Sequence, residues 1–345
     1  MKVFLALTIS AFTFLASCSL IGSTRTAMID TPEIPDIFEP VCIGRYQMDM
    51  PKGTKLTDGT FQSHFLKTNF SKPLSGQNRQ KNWLDEIEHK RKSDAEHGAK
   101  YIHQTGEQDT LLRAIHLLFK SSEDDLKPTH MVDIFLYKDF PQVKLALGFE
   151  ATSSKTNFTK SKHGDYSYLL EKFLQPLPSI AQRYKHLPWP HNQLGVCLTK
   201  DITFNTARAA EDEYLRVIYR FREKTFFQFY IQAYARDQHT ELHDEISSKL
   251  GALSLFASDY FNFGGRTGKL FLSGDVYSPT ATRFRWYATD AVAGSTQKPF
   301  ISIEGRVDVN DFPELKGLNN IDSNAIALSL LASFQPRENG LVGTK

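Results

Sequence analysis

The pattern of this chain restarts once, and that restart limits what it can fold into. The stretch "PWPHNQLG" begins at residue 188 and sets a tryptophan between two prolines. On either side a cysteine sits near the front of a strand-like run, "PVCIGRYQMDMP" from residue 40 and "LGVCLTKDITFN" from residue 194. In the first half "GTFQSHFLKTNF" reads as a second strand and "KNWLDEIEHKRKSDAEHG" as a charged helix ended by Gly98. Three strands follow, "TLLRAIHLLFKS", "HMVDIFLYKD" and "QVKLALGFEATS". A helix over "YSYLLEKFLQPLPSIAQRYKHL" is kinked or broken at Pro176 and Pro178.

The second half gives a hairpin, "EYLRVIYRFRE" and "FFQFYIQAYAR", turning at Glu223-Lys224. An amphipathic helix follows over "TELHDEISSKLGALSLFASDYF", then strands "GKLFLSGDVY", "TRFRWYATD" and "FISIEGRVDV". "SNAIALSLLASF" closes as a helix capped by Ser323 or Asp322. Each half reads as strands, helix, three strands, helix. The expected fold is therefore α+β: two similar domains from an internal duplication, each an antiparallel or mixed sheet with two helices. The expected bounds are 40–187 and 195–338, with a linker over 188–194.

The start of the chain carries an address. After Lys2 come fourteen uncharged residues, "VFLALTISAFTFLA". In a helix they reach about 21 Å, short of the ~30 Å of a bilayer core. A cation, a short apolar run and small residues read as a signal peptide over 1–17. Leu15-Ala16-Ser17-Cys18 resembles the bacterial lipobox, which implies acylation of Cys18, and Ser19 after it favours the outer membrane. Residues 18–39 lack periodicity and read as a tether from lipid to fold. The expected product is a periplasmic lipoprotein.

Removing residues 1–17 takes away one cation and leaves a formal charge of +1 in place of +2. With no basic stripe, nucleic acid is not an expected partner. Of three cysteines, Cys42 and Cys197 remain after Cys18. A bridge between them would close a loop worth about 5 kcal/mol in the chain-entropy model. Two buried thiols, one per domain, are the alternative, and the sequence leaves both open.

No set of residues forms a persuasive catalytic site. "GGRTGK" (264–269) is one residue short of a phosphate loop and has Leu270 where Ser or Thr belongs, so it reads as a turn. His239 and His243 have zinc spacing but lack the glutamate of a metalloprotease motif, and read as a solvated helix start. His89 and His97 lie on a charged face, and there is no G-x-S-x-G elbow or C-x-x-C pair. No enzyme activity, cofactor, metal or small-molecule substrate is expected, and a binder or an envelope assembly part is.

The run Cys42-Ile43-Gly44-Arg45-Tyr46 followed by Met50-Pro51 is similar to the N-terminal signature of type VI secretion immunity lipoproteins cognate to phospholipase effectors, the fourth such family. "LGVCLTKDI" resembles the opening of that family's second domain, and "KPFISIEGRV" with "SNAIALSLLASFQPRENG" its final strand and helix. The resemblance implies a two-domain protein that binds a lipase in the periplasm, blocks its lid or entrance and protects the cell's phospholipids. The alternative is an envelope structural or assembly lipoprotein with another protein partner. Candidate partner contacts are Trp189 in the linker and Tyr260, Phe261, Phe263 and Arg266 around "DYFNFGGRTG". The competing reading packs Trp189 between domains and the phenylalanines into a helix core face.

Overall fold

The computed structural model describes residues 37–70, 73–96, 103–108, 111–120, 129–155, 174–207, 210, 212–233, 258–275, 277–292, 295, 297–315 and 321–340. The expected signal peptide, Cys18, the expected tether up to residue 36, His97, Gly98, His239, His243 and residues 240–257 of the helix expected over 240–261 lie outside these residues.

The chain opens with β1 (Phe38–Ile43) and β2 (Tyr46–Pro51), an antiparallel pair around the turn Gly44-Arg45. A second hairpin follows, β3 (Lys55–Ser63) and β4 (Leu66–Asn69). Then come β5 (Leu74–Ser75), α1 (Arg79–Glu96) and four strands in succession: β6 (His103–Gln108), β7 (Leu111–Lys120), β8 (Thr129–Phe140) and β9 (Leu145–Lys155). The middle of the chain holds α2 (Leu177–Ala181), β10 (Tyr184–His186), β11 (Val196–Cys197) and β12 (Ile202–Phe204). The second half contributes β13 (Tyr214–Phe221), β14 (Thr225–Gln232), β15 (Ser258–Phe263), β16 (Arg266–Asp275), β17 (Ser278–Ala288) and β18 (Phe300–Asp308). It ends in α3 (Ser323–Ala332) and β19 (Gln335–Pro336).

This architecture corrects the expected α+β duplication. The protein is mostly β, and a single thirteen-stranded sheet runs through both halves in the order β15-β16-β17-β18-β14-β13-β3-β4-β9-β8-β7-β6, with β5 beside β9. The junction is β13 against β3, in register from Tyr214↔Gln62 to Arg220↔Lys55 with a bulge after Ile218. Alternation of apolar and polar residues reports which way side chains face, but not which strand edges meet, so a shared sheet and two separate ones look alike in sequence. Joining β3 to β13 leaves neither half with an open edge at the join. Two helix positions also move to strand: Ser258–Phe263 is β15, and Tyr184–His186 is β10.

The alternation itself is kept. Leu215, Val217, Tyr219 and Phe221 of β13 face one core with Phe227 and Phe229 of β14, Ile301 and Ile303 of β18, Phe61 of β3, and Leu147 and Phe149 of β9. β1, β2, α2, α3 and the short strands β10 to β12 cover that face, contributing Met48, Tyr184, Phe204 and Leu330 among others. Each fully buried large side chain contributes about 1.5–3 kcal/mol. Gly268 is required under Trp286, since a Cβ there would lie 2.3 Å from the indole. On the opposite face α1 lays Trp83 and Ile87 over Phe135, Tyr137 and Ala146. That small patch is why its apolar set is so short.

α3 is capped as the sequence predicts, by the Asp322 carboxylate accepting from Ala325 N–H at 2.8 Å. Among the described residues no helix is long and apolar enough to cross a membrane.

Candidate partner-binding surface

The frame is a buried node where distant parts of the chain are fastened. The turn Gly44-Arg45 puts Gly44 opposite Cys197 in an isolated antiparallel bridge. Beside it Cys42 and Cys197 are joined, with their Cα atoms 5.9 Å apart. Arg45 donates from Nε and Nη2 to both oxygens of Glu213 at 2.8 and 2.9 Å, and from Nη1 to the Gly340 carbonyl at 2.8 Å. Arg337 donates to the carbonyls of Gly44 and Gly195 at 3.2 and 2.5 Å. Burial, and then the Arg45 charge nearby, pushes the Arg337 guanidinium below its ordinary pKa. These two carbonyls accept from it and hold its charge.

Trp189 stands at the edge of this node. It is half-buried, donates from Nε1 to the Pro40 carbonyl at 2.9 Å and lies 5.7 Å from the Arg337 guanidinium. His191 meets it edge-on, with ring centroids 5.9 Å apart. His191 Nδ1 accepts from Gln193 N–H at 3.2 Å, so Nε2 carries the proton and donates to Thr203 Oγ1 at 2.9 Å. Burial, and then the charge of Arg337, lowers the His191 pKa, consistent with a neutral ring.

The other four candidates sit on one hairpin. "GGRTGK" begins at the turn between β15 and β16, where Gly264 and Gly265 take left-handed backbones with φ of 61° and 71°. Tyr260 is 56 % exposed and Phe261 half-buried, stacked on Phe263 at 5.9 Å. Phe263 and Arg266 are buried. Phe263 meets Trp286 edge-on at 5.6 Å, and Arg266 pairs with Asp290 at 2.9 Å and with the Pro299 carbonyl at 3.0 Å. As they stand, neither of these two offers its side chain to a partner. Trp189, Phe261 and Tyr260 retain accessible surface.

Sequence reading overlooked the two aromatics that are most exposed among the described residues, Phe65 at 66 % and Tyr277 at 91 %. Both sit at hairpin tips, and neither tip carries Asn-Gly to reveal it. A half-open groove of about 540 Å³ lies between α1 and the sheet, floored by Trp83 and Phe135 and rimmed by Lys67, Glu86, Lys90 and Glu150. Among the described residues no three His, Cys, Asp or Glu side chains are grouped to hold a metal ion.

A single antiparallel sheet carried through both halves, closed on one face by short strands and a C-terminal helix, defines the class of fold. The same fold is found in solved immunity proteins of type VI secretion. The immunity protein TplEi of Pseudomonas aeruginosa in its apo form matches with a TM-score of 0.55 at 12% identity, over 87% of this chain and 97% of TplEi. TplEi complexed with "L" peptide matches with a TM-score of 0.55 at 12% identity, over 88% of this chain and 99% of that one. A chain of the Tle4–Tli4 complex matches with a TM-score of 0.56 at 13% identity, over 88% and 98%. No protein-family model and no curated protein sequence matches this chain. At such identities the likeness is one of fold.

Proposed function

We propose that this protein is an immunity protein that binds a phospholipase effector of type VI secretion and neutralises it, acting in the periplasm from a lipid anchor at Cys18. The observation that carries the reading is the end-to-end sharing of fold with immunity proteins, 87–88% of this chain against 97–99% of theirs. One of those relatives is solved in the Tle4–Tli4 complex. The Cys42–Cys197 pair supports it independently, because structural disulfides persist in oxidising compartments.

Function by binding needs a rigid body and a few exposed anchors. The node of Arg45, Glu213, Arg337 and the disulfide supplies the rigidity, Trp189 is an accessible aromatic beside it, and Tyr260 and Phe261 are accessible aromatics on the β15–β16 hairpin. A lipid tether would hold the inhibitor next to the phospholipids under attack and raise its local concentration.

The test is a pull-down of the chain lacking residues 1–17 with phospholipases encoded beside secretion-spike genes, followed by phospholipid hydrolysis with increasing inhibitor. The expected result is a stable complex and loss of hydrolysis near equimolar ratio. Hydrolysis unchanged for every such lipase, or ester hydrolysis by the protein alone, would overturn the reading. Cys18→Ser is expected to leave the membrane fraction.

A further inference from the structure

The hairpin between β3 and β4 turns on two residues that its geometry disfavours. His64 and Phe65 both have left-handed backbones, with φ of 52° and 66°. A two-residue hairpin requires this conformation, and Asn-Gly supplies it with little strain. A residue with a full side chain is strained there, because its Cβ crowds the following carbonyl oxygen. Asp212 holds the turn: one carboxylate oxygen accepts from His64 N–H at 2.8 Å and the other from Phe65 N–H at 2.5 Å. Its neighbour Glu213 is the residue gripped by Arg45, so the turn is braced against the buried node.

What the strained turn presents is an aromatic ring in solvent, Phe65 at 66 % exposure. At its foot lies a hollow of about 360 Å³ lined by Pro176, Leu177, Ile180 and Arg183. Arg183 Nη1 is 3.5 Å from His64 Nε2, and among the described residues that line the hollow Arg183 is the permanently charged one. Folding alone favours the opposite choice at both turn positions. The ring packs no core, and the backbone would relax with glycine. A braced knob of Phe beside an Arg has the composition and rigidity of a binding hot spot, since little freedom is left to lose on association.

We propose that Phe65 is an anchor through which this protein grips the phospholipase effector. Its ring enters an apolar recess on the enzyme of the kind that receives acyl chains, and Arg183 meets a carboxylate at the rim of that recess. The proposal rests on the function proposed above and names the contact that performs it. Arg183 selects an acidic rim on the partner, because the nearby Asp212 carboxylate is engaged by the N–H groups of the turn.

The test replaces the turn with the sequence its backbone favours, His64→Asn/Phe65→Gly, in the chain lacking residues 1–17, with Phe65→Asp and Arg183→Glu alongside. The first variant is expected to melt at or above the wild-type temperature yet bind the effector at least about 30-fold more weakly, the size of a hot-spot loss. Phe65→Asp should lose binding similarly, and Arg183→Glu should weaken it about tenfold, chiefly through slower, salt-sensitive association. Wild-type binding matched by the Asn-Gly variant overturns the proposal. So does a variant that changes only self-association, which would make a second copy the occupant. Failure of the wild-type chain to bind any such lipase sinks the function reading instead, so the two failures are distinguishable.

Discussion

Arg45 and Glu213, 168 residues apart in sequence, meet in two parallel hydrogen bonds inside the protein, with side chains 6% and 10% exposed. Breaking such a pair strands a buried charge. Arg45→Met or Glu213→Leu is each expected to cost about 3–5 kcal/mol in urea unfolding. The double variant is expected to recover a large part of that loss, because two apolar groups of similar size leave no charge behind. Additive losses in the double variant would refute the coupling.

The Cys42–Cys197 link closes a loop with a sequence separation of 155 residues. Cys197→Ala, or reduction in denaturant followed by refolding, is expected to lower unfolding free energy by about 2–5 kcal/mol. Mass measurement with and without reductant should differ by two hydrogen atoms, added as the bridge is reduced to two thiols. Equal masses and equal stability would remove the bridge from the account.

On the acid side Asp275 and Asp308, which share Arg306, both have carboxyl pKa values below the ordinary one, and Asp275 is the one tested. The hydrogen bond from Arg306 at 2.5 Å, and a second from Tyr277 N–H at 3.0 Å, hold its carboxyl below the ordinary value. With the folded pKa below the unfolded one, the stabilisation is present above about pH 4 and is lost as pH falls through the folded value. Asp275→Asn is therefore expected to lower stability at pH 7 and to flatten the decline seen at lower pH. A variant whose decline below pH 4 parallels wild type would show that other carboxylates carry it.

Trp189→Phe keeps the ring packing beside Arg337 but removes the donor to Pro40. About 1 kcal/mol of stability should be lost, the net value of one hydrogen bond. Trp189→Ala should lose more, because the ring beside Arg337 and His191 goes as well. Thermal melts of the two variants rank these contributions.

Much of the element content was readable because strands advertise themselves by alternation. β7, β8, β9, the β13–β14 hairpin, β16 to β18, α1 and α3 lie where the pattern puts them. Two hairpins hid inside runs read as single strands. "PVCIGRYQMDMP" folds back at Gly44-Arg45, and "GTFQSHFLKTNF" folds back at His64-Phe65. Neither turn has the usual pair of turn residues, and in both cases long-range partners, Cys197 and Asp212, support the bend. β15 was absorbed into a helix because its apolar residues continue the helical spacing. Burial of Phe263 agrees with the competing reading, though against Trp286 of a sheet and not on a helix, and the burial of Arg266 was unreadable because Asp290 lies more than twenty residues away. For the same reason Phe65, inside an apparent strand, gave no sign that it would point into solvent.

The fastening of Arg337 to Gly44 has a further consequence for the order of events in the life of the chain. A nascent polypeptide emerges from its N-terminus, and β3 stays unpaired with β13 until some 160 residues later. Its first hairpin waits almost 300 residues for the arginine that seals it. Contacts this remote form slowly and late. Local hairpins such as β7–β8 and β8–β9 need no late segment, whereas the node that ties the two halves together closes only once the last residues of the chain are free.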